Sequence, residues 1–187
     1  PIKMPNIIPE DLSTIGYTSG TTGHPKGAMQ SHKSVIINGA MTSQLHMRGP
    51  EDVVVSALPC PHVYANVLMT GMMMFGTKLV LHQTFDPLSV FKDIEKHNAT
   101  IFDGVPTMFM FMLNHKEFKN ANLSSLKRCY VGGQTMPVAT MEAVEKAFKV
   151  PLIELWGMTE IAGLGSTHPL YGQNKHGSIG CAMPYCE

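Results

Sequence analysis

Strand-forming runs alternate with helix-forming segments along most of this chain, and that alternation constrains the fold more than any other feature. Residues 52–58 carry three successive valines and are stopped by Pro59 and Pro61, after which an apolar segment suited to a buried helix runs to about Phe75 and Gly76. The run 78–82 is followed by Asp86-Pro87, an N-cap and first-turn proline for a helix in which Leu88, Phe91 and Ile94 share one face and which Asn98 ends. The pattern recurs with 100–105 and a helix from Pro106 through Leu113. It recurs again with 127–131, Gly132-Gly133 and an amphipathic stretch 137–148 that groups Val138, Met141 and Val144; 152–155 is the last clear strand. Strands joined by helical crossovers pair in parallel, so the expected fold is α/β, a mostly parallel sheet with flanking helices.

Ahead of these units lies Tyr17-Thr18-Ser19-Gly20-Thr21-Thr22-Gly23-His24-Pro25-Lys26-Gly27. A short strand from Ile15 leads into it, residues 28–30 lead out, and Ser31 can cap a helix to about His46. Glycines let backbone N–H groups turn toward an anion, the hydroxyls of Thr18, Ser19, Thr21 and Thr22 add neutral donors, and Lys26 adds a mobile charge. This is phosphate-binding chemistry, with a Gly/Thr-rich surface turn as the plain alternative. It is not a Walker loop, in which Lys directly follows Gly and precedes Ser or Thr; here Lys26 stands between Pro25 and Gly27.

Ligands of open α/β sheets collect beyond the carboxyl ends of the strands. Residues 59–64, 132–134 and 156–160 each follow an expected strand directly, which predicts one shared crevice. A lone His62 is ordinarily a surface or packed residue, Gly132-Gly133 explains itself as a strand-to-helix turn, and Thr159-Glu160 as a helix start.

Taken together, the loop and the later Leu155-Trp156-Gly157-Met158-Thr159-Glu160 resemble the two signatures of the adenylate-forming superfamily, which includes acyl-CoA synthetases, aryl-CoA ligases, beetle luciferases and amino-acid adenylation domains. The resemblance implies that Thr18, Ser19, Gly20, Thr21, Thr22, Gly23 and Lys26 hold the β- and γ-phosphates of ATP. It implies that Thr159 contacts the α-phosphate, that Glu160 holds Mg²⁺, and that Trp156, Gly157 and Met158 line the nucleotide or acyl pocket. Many members have Tyr at the Trp156 position. Gly132, Gly133 and Gln134 stand where the family packs a small-residue turn against adenine. His62, in Leu58-Pro59-Cys60-Pro61-His62-Val63-Tyr64, resembles the His near the substrate carboxylate. Lys26, His62, Thr159 and Glu160 are thus the candidate catalytic set. Ser178, within Gly177-Ser178-Ile179-Gly180, resembles a later family turn.

The implied activity is an AMP-forming acid–thiol ligase: a carboxylic acid, a fatty acid in the first instance and an aryl acid as the alternative, is adenylated by ATP and passed to coenzyme A. Amino-acid adenylation domains carry an Asp after the proline-rich segment, whereas Ala65-Asn66-Val67 follows Tyr64 here. Methionines around 69–74 and 108–112 suit a pliable acyl pocket and equally a plain core. The resemblance covers only the central and later part of the family's large N-terminal domain. Residues 1–187 are therefore expected to be a partial ATP- and acyl-binding domain, without the ribose-binding Asp or the C-terminal domain with its catalytic Lys, and not to turn over alone. A non-catalytic nucleotide- or partner-binding module is the alternative from another class.

Composition limits the partners. Lys+Arg and Asp+Glu balance at 14 each, so no nucleic-acid or anionic-membrane surface is expected. Charged residues are only 15% and Met reaches 15, which suits a large share of interior positions, or a homo-oligomer or other association through exposed apolar faces. The apolar run 67–75 is too short to span a membrane. Cys60, Cys129, Cys181 and Cys186 have no C-x-x-C spacing and no signal-like segment precedes them, which suits reduced thiols in the cytoplasm; Cys181 and Cys186 with His176 lack a fourth ligand for a zinc corner.

Overall fold

A computed structural model of the chain describes residues 5–19 and 23–186. Strands β1 (Leu12–Thr18) and β2 (Lys26–Ser31) form an antiparallel hairpin apart from the main sheet. Helix α1 (His32–Leu45) follows, started by Ser31, whose hydroxyl accepts the Ser34 amide at 3.1 Å. Then β3 (Val53–Ser56), α2 (Val63–Phe75), β4 (Lys78–Leu81), α3 (Pro87–His97), β5 (Ile101–Gly104), α4 (Pro106–Asn114), β6 (Arg128–Val131), α5 (Val138–Phe148) and β7 (Leu152–Met158) alternate as the sequence predicts. Local chemistry sets the ends. Asp86 accepts the Ser89 amide at 2.9 Å, while Gly76 and Asn98 stop their helices in the left-handed conformation.

The sheet order is β4-β3-β5-β6-β7, all parallel, extended antiparallel by β8 (Gly163–Thr167) and β9 (Cys181–Ala182). Both faces are covered. Phe102, Cys129, Val131 and Leu152 pack with α3, α4 and α5; Val54, Ile101, Tyr130 and Ile153 look toward Tyr64, Val67 and Leu68 of α2. Period-two alternation in a sheet buried on both sides thus divides one strand set between two cores.

Some expectations needed correction. The segment leaving the phosphate loop pairs back on the strand that enters it, so the loop sits at a hairpin tip. The last strand runs on to Met158 and pairs antiparallel with β8, which β9 extends in turn. The glycines of Gly163-Leu164-Gly165 conceal a strand in sequence, yet they permit close approach, since a Cβ on Gly163 would collide with the Asn38 side chain and one on Gly165 with the Trp156 ring. Val138 opens α5 and is 42% exposed, and Phe148 joins Met141 and Val144 inside instead. Helix α2 buries one face only, leaving Met73 73% exposed. Met108 and Met112 lie in the core under α4. No helix among the described residues is long and apolar enough to cross a membrane.

Candidate active site

Thr18 and Lys26 are directly opposed in the hairpin register, so the segment between them is closed at its base. Lys26 is exposed and forms no salt bridge among the described residues. Gly23 has φ 83° with open space around it, so backbone conformation alone calls for glycine. Gly20, Thr21 and Thr22 lie outside the described residues.

The hairpin is docked on the second motif. Gln30, buried on its inner face, donates from Nε2 to the Thr159 carbonyl at 2.6 Å, and Gly16 lies so close to Thr159 that a Cβ would collide with its methyl. Two segments 129 residues apart are thereby held side by side. The motif is a strand end followed by a single turn rather than a free turn. Trp156, Gly157 and Met158 finish β7, with a bulge between Trp156 and Gly157, and Thr159–Ile161 form one 3₁₀ turn. Thr159 is half-buried; Glu160 is exposed and makes no salt bridge among the described residues.

His62, Gly132–Gln134 and the Thr159 turn follow β3, β6 and β7, so they lie along one edge of the parallel sheet. Gly132 packs against Leu155, where a Cβ would strike that side chain, and Gly133 has φ 85°. Packing and backbone angle account for the glycine pair; Gly132 is buried, whereas Gly133 and Gln134 are exposed. His62 caps α2: its Nδ1 accepts the Tyr64 amide at 3.1 Å. A backbone N–H can only donate, so the neutral ring carries its proton on Nε2. Ser178 closes its own turn, its hydroxyl accepting the Gly180 amide while its carbonyl accepts from His168.

Several polar side chains here escaped the sequence reading. Glu154 in β7, paired with Val131 just before the glycine turn, has one buried carboxylate oxygen without a partner. Burial raises its pKa, against the opposing effects of His168, the Gly177 amide and His176. Arg48 faces Asp103 in parallel at 3.0 Å on both oxygens, and Arg128 meets Asp52 at 2.7 Å, all four buried. A single charge inside an otherwise apolar strand, as at Asp103 and Arg128, was the available signal. A cavity of about 820 Å³ also adjoins the motif, walled by Trp156, Met158, Ile37, Met41, Ile179 and Met183; His62 and the Gly132 turn are not part of its lining.

The protein-family description "AMP-binding enzyme" matches residues 1–187. Among similar curated proteins, a long-chain-fatty-acid–CoA ligase of Bacillus subtilis is 35% identical over 98% of this chain and 33% of its own length. An indoleacetate–CoA ligase of Aromatoleum aromaticum is 33% identical over 99% of this chain and 36% of its own. The o-succinylbenzoate coenzyme A synthetase of Bacillus subtilis, solved in complex with ATP and magnesium ion, superposes with a TM-score of 0.86 at 26% identity over 100% of this chain and 39% of that one. The chain thus spans about a third of the length of these curated relatives.

Proposed function

The chain belongs to the AMP-binding enzyme family, and from that premise we propose that the protein carrying it is an acid–thiol ligase that activates a fatty acid. The acid's carboxylate oxygen attacks the α-phosphorus of ATP, the bond to pyrophosphate breaks, and coenzyme A then displaces AMP from the acyl adenylate. The observation that carries this reading is the docking of the hairpin on Thr159 through Gln30 and Gly16. It holds the hairpin that carries the phosphate-type loop against the Thr159 turn, whose hydroxyl and neighbouring Glu160 carboxylate are the groups this chemistry calls for along one triphosphate.

In this reading the loop Thr18–Lys26 holds the β- and γ-phosphates, and the exposed Lys26 ammonium offsets charge on the departing pyrophosphate. The Thr159 hydroxyl donates to the α-phosphate. Glu160 is the residue to hold Mg²⁺, and its exposure and lack of an ionic partner among the described residues fit an oxygen ligand that completes its shell with water and phosphate. A magnesium ion there would draw charge from the phosphate oxygens. His62 is exposed, and its Nε2–H is a donor that can orient the incoming carboxylate. The backbone of Gly132 and Gly133 with Gln134 receives adenine, and Trp156, Gly157 and Met158 border the nucleotide.

The name of the Bacillus relative favours a fatty acid, while the Aromatoleum ligase keeps an aryl acid as the second reading. The free cysteines support a reducing compartment, the cytoplasm, as the setting. The test is acid-dependent ATP–pyrophosphate exchange by the protein carrying this chain, run on a panel of fatty and aryl acids. Exchange with fatty acids is expected. ATP binding without exchange for any acid would favour a non-catalytic nucleotide-binding module, and ATP cleavage to ADP would sink the adenylation chemistry.

A further inference from the structure

Asp103 lies in β5, a strand buried at every position, and is itself fully shielded. Both its oxygens accept from Arg48, which follows the C-terminus of α1 and whose guanidinium lies 4.8 Å over the Tyr130 ring. Oδ1 accepts in addition from the Tyr64 hydroxyl at 3.0 Å. Tyr64 belongs to the first turn of α2, and its backbone amide is the donor that His62 Nδ1 accepts. An unbroken series of contacts therefore runs from a buried ion pair to the exposed imidazole.

Core filling does not explain the hydroxyl, because a phenylalanine would occupy nearly the same volume without the cost of burying an O–H group. What the hydroxyl adds is direction. It fixes the Tyr64 side chain to the sheet and so fixes the rotation of the first turn of α2, from which the Tyr64 amide points at His62. We infer that Asp103, backed by Arg48, is a positioning residue for His62: through Tyr64 it holds the imidazole in the one tautomer that carries its proton on Nε2. The inference deepens the ligase reading, in which that N–H meets the acid's carboxylate, and rests on it for the identity of that partner.

The decisive variant is Tyr64→Phe, which removes one oxygen and keeps the ring. In the protein carrying this chain, prepared with ¹⁵N-labelled histidine, long-range proton–nitrogen spectra separate the two neutral tautomers. The unaltered chain should show His62 as a single Nε2–H form, and Tyr64→Phe should raise the other tautomer to a comparable population. Val144→Ala, a cut in the opposite core, should leave His62 unchanged. A His62 spectrum unaltered by Tyr64→Phe, or altered as much by Val144→Ala, would overturn the inference. In the enzyme carrying the chain, Tyr64→Phe should lower kcat for acid adenylation roughly tenfold and leave KM for ATP unchanged. An equal fall with Val144→Ala would also count against positioning. A protein with no adenylation activity would sink the ligase reading, and the tautomer comparison would still decide the role of Asp103.

Discussion

Replacing Gly16 by alanine probes whether the hairpin and the Thr159 turn act as one site. Gly16 pairs with Ala28 in the hairpin and does not have a positive φ, so alanine suits its backbone. The obstacle is one atom. An added Cβ would collide with the Thr159 methyl, whereas the next nearest atoms are Gln30 Nε2 at 3.3 Å and Thr159 Cβ at 3.9 Å. Restoring a carbon–carbon separation of about 3.5–4.0 Å requires the two motifs to part by roughly 1 Å or more, which would also stretch the Gln30–Thr159 hydrogen bond. Overpacking of this kind costs about 1–3 kcal/mol of stability. In the proposed reading the two motifs grip one substrate, and a displacement of about 1 Å between such groups costs on the order of 10²-fold in turnover. Thr159→Ser removes the obstructing methyl and keeps the hydroxyl. Gly16→Ala should therefore depress pyrophosphate exchange about a hundredfold with a modest fall in Tm, and Gly16→Ala/Thr159→Ser should regain most of the loss. In the proposed reading Trp156, the sole tryptophan, borders the nucleotide, so its fluorescence should respond to ATP in the same samples. A single variant within about twofold of the parent, or a double variant as impaired as the single, would refute the coupling.

Three further outcomes follow from the buried polar groups. Arg48→Met strands the Asp103 carboxylate with only the Tyr64 hydroxyl and should cost about 3–5 kcal/mol in urea denaturation; adding Asp103→Leu should recover part of it, and a double variant less stable than the single would contradict this. Asn38 brackets Leu164, donating to its carbonyl at 2.8 Å and accepting its amide at 3.0 Å. Asn38→Ala should therefore cost about 2–3 kcal/mol and speed hydrogen exchange at the Leu164 amide, and an unchanged exchange rate would rule out that bridge. His46 is buried, and its desolvation, reinforced by Arg48 and Arg128, holds its pKa well below the usual value. The folded state then binds fewer protons than the unfolded chain, so this stability is present above the unfolded pKa of about 6.5 and lost as pH falls through it; His46→Gln should flatten the stability slope between about pH 7 and 5, and parallel slopes would disprove the assignment.

The site was legible in unequal parts. The loop glycines and hydroxyls and the Thr159-Glu160 pair announced themselves because phosphate chemistry needs those residue types close together. Asn38, Arg48, Asp103 and Glu154 did not, because each acquires its partner from a distant element: Asn38 from β8, Arg48 from β5, and Glu154 from the segment after β8. Strand β8 was hidden for a related reason. Its glycines give little strand propensity, and only the neighbouring β7 edge makes a strand of them.

By itself the sequence determined the elements that depend on near neighbours. A cap such as Ser31 or Asp86 acts on an amide three residues away, a valine run prefers the extended chain, and a glycine frees its own φ. The α/β alternation and the phosphate-type loop follow from such short-range causes. Tertiary structure alone decided that the loop stands on a hairpin, that the hairpin leans on Thr159, and that Asp103 reaches His62 through Tyr64. Those contacts act over a few ångströms between residues far apart in the chain, and nothing local to either partner specifies the other.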